Sequence, residues 1–324
     1  MKRTFLTLIF ASVIFTGFSQ DHVKYSFSLD FNPLTATRIA FSPDSKYLVY
    51  GTVDGEIIGM DLTTGAQGFR FKGHDSRVIS VAYSPDGTQM ASGDKDGILK
   101  TWDMTRHNPL FTVEAHSKAI LAVAYSPDGA ILFSGGRDNY VHVREAATTA
   151  KLRSIGKTKG NIRSIEFSPD GKYIICATSA LLNSIHFYDI ATGKLVKKLP
   201  SDNTQDIAIS PDERILASAN LEKDVFLWDI RADTLFAVLS GHTKYIKDVA
   251  FSPGGKMLVS CSDDHLVKLW DVEKRTELAA FSAHTGEVEG VAYSPDGTMI
   301  ASVSWDNTIK VYDLEGIERP SEDL

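Results

Sequence analysis

Cysteine is scarce: Cys176 and Cys261 are the only two in 324 residues, too few for a disulfide framework, and nothing around them resembles a zinc ligand set. Cys176 stands eight residues past Ser168 and Cys261 nine past Ser252, different phases of comparable strands, so the expectation is two buried, unpaired thiols. An excess of positive charge is also missing. With 34 Lys and Arg against 41 Asp and Glu, the formal net charge is -7, which removes the long-range attraction expected of a nucleic-acid or anionic-membrane partner. Nor does any apolar run reach the roughly 20 residues needed to span a bilayer.

The longest apolar run opens the chain. Lys2 and Arg3 precede a mostly apolar Phe5 to Phe15, and Gly17 and Ser19 put small residues at the -3 and -1 positions of a cut before Gln20. This layout predicts a secretory signal peptide over residues 1–19, cleaved near Ser19/Gln20, and a periplasmic or secreted mature protein with no membrane span. Losing Lys2 and Arg3 would move the formal charge from -7 to -9.

The remainder is periodic. Ser-Pro recurs at Ser42, Ser84, Ser126, Ser168, Ser210, Ser252 and Ser294, always 42 residues apart and usually followed by Asp and Gly. A spacing held six times running is a structural period. In the second unit, Arg77 to Tyr83 reads as an apolar strand. Ser84-Pro85-Asp86-Gly87 is a tight turn, with proline fixing φ and glycine accepting a positive one. Gln89 to Gly93 is a second strand, Asp96-Gly97 a hairpin turn, Ile98 to Trp102 a third strand, and Leu110 to Val113 a looser fourth leading to Ala115-His116. The fourth unit is irregular: Ala180 replaces the turn aspartate, and Asp189 arrives two residues late.

Such a unit cannot bury its own faces, so seven sheets must stack into one repeat-built domain over residues 20–314. The last unit has only three strands, ending at Asp313, while Val23 to Phe31 alternates as a strand belonging to no complete unit. If Val23 to Asp30 pairs beside Thr308 to Tyr312, every sheet has four strands and the seam is closed. A linear solenoid with exposed ends is the alternative. Residues 315–324 read as a loose polar tail.

These residues resemble the WD40 repeat. Gly73-His74, Gly241-His242, Ala115-His116 and Ala283-His284 look like its Gly-His element, and Trp102-Asp103, Trp228-Asp229 and Trp270-Asp271 like its terminal dipeptide. The resemblance implies an all-β, seven-bladed β-propeller of four-stranded antiparallel blades, with fourth strands shared between sequence repeats. It also implies a buried hydrogen-bonded set of histidine, strand Ser, turn Asp and strand Trp. Two sets are complete: His74, Ser92, Asp96 and Trp102, then His242, Ser260, Asp264 and Trp270. Arg144 and Tyr312 replace the tryptophan in the sets of His116, Ser134, Asp138 and of His284, Ser302, Asp306. The first, fourth and fifth units lack the histidine, and packing is expected to hold the first and fourth.

A Ser, a His and an Asp in one unit would suit a hydrolytic triad, but four copies argue for structural duty, since an active site needs one. Asp263, Asp264 and His265 superficially suggest a metal site, yet Asp264 already belongs to a buried set. No cofactor is expected. The family mostly furnishes platforms for proteins or peptides, which implies a non-catalytic, monomeric binding scaffold. A structural subunit of an envelope or secreted assembly is one alternative, and a propeller lectin or hydrolase with an unrecognised pocket another. In a propeller, the connections before strand one and between strands two and three share a face around the channel. The residues expected to meet a partner there are Arg77, Lys95, Arg137, Tyr245, Asp263 and Trp305. Trp305 stands out because the same position elsewhere holds Val53, Lys95, Arg137, Ser179, Leu221 and Asp263.

Overall fold

The computed structural model describes residues 23–28, 38–168, 170–182, 184–317 and 320. The expected signal peptide and its cut lie outside them. Seven four-stranded antiparallel sheets form the blades of a propeller. Strands are lettered A to D outward from the central axis, so blade 2 comprises A (Val78–Tyr83), B (Gln89–Asp94), C (Ile98–Asp103) and D (Asn108–Glu114). Blade 7 takes A, B and C from Val288–Tyr293, Met299–Ser304 and Thr308–Asp313, and D from Val23–Ser28. Register there runs from Val23 opposite Tyr312 to Ser28 opposite Thr308, and Lys24 Nζ reaches Asp313 Oδ2 at 3.2 Å. The closed ring, not the open solenoid, is the outcome.

The Ser-Pro turn explains its own recurrence. Ser84 Oγ donates to Asp86 Oδ1 at 2.6 Å and accepts the Gln89 N–H at 2.9 Å, while the Gly87 N–H returns to the Ser84 carbonyl at 2.9 Å with φ at 70°. The A–B corner therefore satisfies its polar groups within five residues. At the B–C corner Gly97 (φ 90°) is required sterically as well, because a Cβ there would stand 2.1 Å from the His116 carbonyl oxygen of the next blade.

The apolar core is divided into slabs between neighbouring blades. Val49, Ile57 and Phe71 of blade 1 pack on Val78, Met90 and Trp102 of blade 2. At the closing interface, Ile39, Leu48 and Tyr50 meet Ala301, Ile309 and Val311 of blade 7. Each blade buries one face against each neighbour, as the repeat requires. Cys176 and Cys261 are free and buried, as expected. Leu314 and, three residues past the expected end of the domain, Ile317 are buried in the slab between blades 6 and 7. Among the described residues, no helix is long and apolar enough to cross a membrane.

Candidate partner-binding face

The histidine sets form, with one exchange of partner. In blade 6, His242 Nδ1 lies 2.9 Å from Asp264 Oδ2, His242 Nε2 2.8 Å from Ser260 Oγ, and Trp270 Nε1 2.8 Å from the same Oγ. A carboxylate only accepts, so Nδ1 carries the proton, Nε2 accepts from Ser260, and Ser260 accepts from Trp270. Burial opposes ionisation of Asp264, but the bond from His242 holds its carboxyl at about 2. The connectivity is that of a triad, yet Ser260 is fully buried and its oxygen is already engaged by tryptophan.

In blade 2, Asp96 does not join the set; the carboxylate on His74 Nδ1 belongs to Asp94, at 2.8 Å. Ser92 Oγ completes it, 2.7 Å from His74 Nε2 and 2.9 Å from Trp102 Nε1. The reason lies at the last position of strand B. Blades 6 and 7 have Ser262 and Ser304 there, whose hydroxyls accept the turn N–H of Asp264 and Asp306 and leave those carboxylates for histidine. Asp94 is long enough to take the Asp96 and Ile98 N–H groups on Oδ1 and His74 on Oδ2. Asp96 is left exposed. Blade 3 keeps His116, Ser134 and Asp138, while Arg144 turns to the Thr149 carbonyl.

The two loop types do share a face. The N–H groups of Lys95, Arg137, Asp263 and Trp305 donate to the carbonyls of Arg77, Ala119, Tyr245 and Glu287, tying each B–C turn to the approach into strand A of its blade. Tyr245 is 50% and Trp305 44% exposed on neighbouring blades, and Lys95 and Arg137 are exposed. Asp263 departs from the expectation: it is buried and ion-paired to Lys247 at 3.1 Å, hence unavailable to a partner. Lys247 also lies 3.5 Å from Glu289, so the carboxylate group Asp263, Glu287 and Glu289 encloses the chain's own cation.

Arg77 and Arg137 line a cavity of about 190 Å³ at the channel mouth, with Ile79, Leu121, Arg163, Gln205, Lys247 and Glu289. The last six occupy one position of the repeat, five residues before each Ser-Pro. Below it, strand A of all seven blades lines a chamber of about 330 Å³. Arg38 of blade 1 crosses it, with Nη1 2.8 Å from Asp206 and 3.0 Å from Asp248. These aspartates also accept the Val249 and Val291 N–H groups of the following blades. Burial opposes the Asp206 charge but Arg38 holds it below the ordinary range, whereas burial and Asp206 drive Asp248 well above it. Glu166 lines the same chamber, and burial, then Asp206, raises it to about 8.

Sequence reasoning missed Arg38, Arg163, Glu166 and the exposed pair Leu181 (80%) and Leu182 (70%) in the B–C turn of blade 4. The signal for Glu166 was present: two residues before Ser-Pro the other units have Ala40, Ala82, Ala124, Ala208, Ala250 and Ala292.

Compared with known families, the chain matches WD40 (WD domain, G-beta repeat) over residues 65–103, 107–144, 150–189, 233–271 and 275–313, more than half of its length. Each segment begins in or near a D strand and ends in or near strand C of the next blade, so blades 2, 3, 4, 6 and 7 carry the match. A search of curated proteins returned no match.

Proposed function

Because the chain belongs to the WD40 family, we propose that it is a non-catalytic scaffold docking a protein or peptide partner on the face of the channel mouth. The observation that carries this reading is Trp305, exposed at a turn position where no fold duty requires an aromatic, beside exposed Tyr245 on the adjacent blade. Tryptophan, tyrosine and arginine are the side chains that dominate interface energetics. Leu181, Leu182 and Leu221 extend the exposed apolar surface of this face across blades 4 and 5. The four histidine sets support the non-catalytic reading, since they are buried and repeated.

The proposed place of action is the periplasm or the medium. The basic start, apolar run and small residues before Gln20 support it. A mature N-terminus at Gln20 in the extracytoplasmic fraction is expected, and a full-length cytoplasmic chain would overturn it. For the docking face, the Trp305→Ala/Tyr245→Ala double variant should lose the proteins cross-linked to the native chain in that compartment. Unchanged capture by a folded double variant rejects this face.

The alternative of a permanent structural subunit has its own support. The outer D strands of blades 2 to 5 expose Phe111, Leu152, Val196 and Leu235, a sheet-edge belt suited to side-on association.

A further inference from the structure

Three guanidinium groups converge on the channel mouth without an ion pair of their own, since Glu289, the one acid lining the same cavity, is engaged by Lys247. Arg77 precedes strand A of blade 2, Arg137 sits in the B–C turn of blade 3, and Arg163 lies on strand A of blade 4; all three line the cavity of about 190 Å³. The other charges there are accounted for: Arg38 by Asp206 and Asp248, Lys247 by Asp263 and Glu289. No carboxylate among the described residues forms an ion pair with Arg77, Arg137 or Arg163. The Nε atoms of Arg77 and Arg163 are moreover buried without any acceptor.

That is an unusual state for a folded protein, in which buried donors are nearly always satisfied. Burial lowers the pKa of Arg77 and of Arg163; the charge of Arg137 adds to this in both and that of Arg38 in Arg163, and the charge of Glu289 only partly opposes it. Blade packing does not require an arginine at position 163, because the same strand-A position holds Ile79 and Leu121 in blades 2 and 3. An anion does: guanidinium forks match oxyanions bidentately, and hydrogen bonds to charged groups are the strong ones. A carboxylate would neutralise one of the three charges, whereas a tetrahedral dianion neutralises two and presents more acceptors.

We infer that the channel mouth is a receptor for a tetrahedral dianion of the phosphoryl or sulfuryl class, held by Arg77, Arg137 and Arg163. This deepens the proposed docking function by giving its face a ligand chemistry, and it rests on that reading only for its biological use.

Inorganic phosphate, titrated calorimetrically into the folded chain near neutral pH and at low ionic strength, is the probe; it needs no partner, so its outcome is separable from that of Trp305→Ala/Tyr245→Ala. Phosphate and sulfate should bind and acetate should not. Arg137→Gln, at an exposed position that does not endanger folding, should weaken phosphate about tenfold or more, and Arg163→Gln likewise, while Lys95→Gln on the same face but outside the cavity should bind as the parent does. A phosphoserine tripeptide that binds more tightly than free phosphate identifies a phosphorylated chain as the source, and the reverse order identifies the free ion. Equal heats for acetate and phosphate, or phosphate binding unchanged in both arginine variants, would overturn the assignment.

Discussion

Blades 6 and 4 share one backbone pattern and are held together by different chemistry. In blade 6 a directional relay runs from the Trp270 N–H through Ser260 and His242 to Asp264. In blade 4 the serine position is Cys176, the tryptophan position Tyr188, and the histidine position Thr158. Cys176 and Tyr188 are buried in a slab with Phe133, Ile165 and Ile174, and burial pushes the thiol far above its ordinary range. The 42-residue period therefore specifies strands and turns, and the polar set reinforces a blade that packing alone can also hold. The difference reaches the surface. Where a histidine must be met, the B–C turn is fixed by its aspartate; blade 4, with Ala180 there, has a longer turn that presents Leu181 and Leu182 to solvent.

The sharpest test removes the centre of each arrangement. Ser260→Ala should cost about 2–4 kcal/mol, since it strands a buried indole N–H and an imidazole nitrogen together. Cys176→Ala should cost about 1 kcal/mol, a small loss of packing. Equal costs in denaturant melts would abolish the distinction. Next in size, Asp94→Ala should destabilise by about 1–3 kcal/mol, while Asp96→Ala should leave the melting temperature unchanged; the opposite ranking would restore Asp96 to the set.

The two blades should also answer pH in opposite senses. Asp264 is depressed in the fold, so its stabilisation is present above its ordinary 3.8 and is lost as pH falls towards about 2. Glu166 of blade 4 is raised, so its contribution is complete below its ordinary 4.5 and is lost as pH climbs through about 8. Stability profiles of Asp264→Asn and Glu166→Ala should flatten at the acid and alkaline ends respectively. The smallest effect is expected of Leu181→Ser/Leu182→Ser, which should leave the melting temperature unchanged and reduce retention on a hydrophobic matrix.

The fold was legible because the period is written in residues with backbone duties: Ser84, Pro85, Asp86 and Gly87 can be read one turn at a time. Closure by Val23–Ser28 followed from counting strands. The partner of His74 was not legible, because two aspartates two residues apart differ only in side-chain direction, which depends on Asp94 ending strand B. Asp263 was misjudged for a related reason: its neighbour Lys247 lies on another strand. The channel residues needed a further step, comparison of one position across the units, which singles out Glu166 among alanines and shows Arg163 and Lys247 as the two cations at a position that elsewhere holds Ile79, Leu121, Gln205 and Glu289. Burial of the arginine Nε atoms depends on the ring being assembled and left no trace in the sequence.

Val23 and Tyr312 sit opposite one another although nearly the whole chain separates them. Each hairpin inside a blade closes a short loop, while this latch closes the longest one, and the entropic cost of joining ends grows with the length between them. Ring completion accordingly carries the largest loop-closure cost among the strand pairings described. A chain made or delivered amino end first must keep its leading strand uncommitted until the final strand arrives. Through that interval the flanks of the first and last blades remain bare, and the nascent molecule is most exposed to pairing with a second copy of itself.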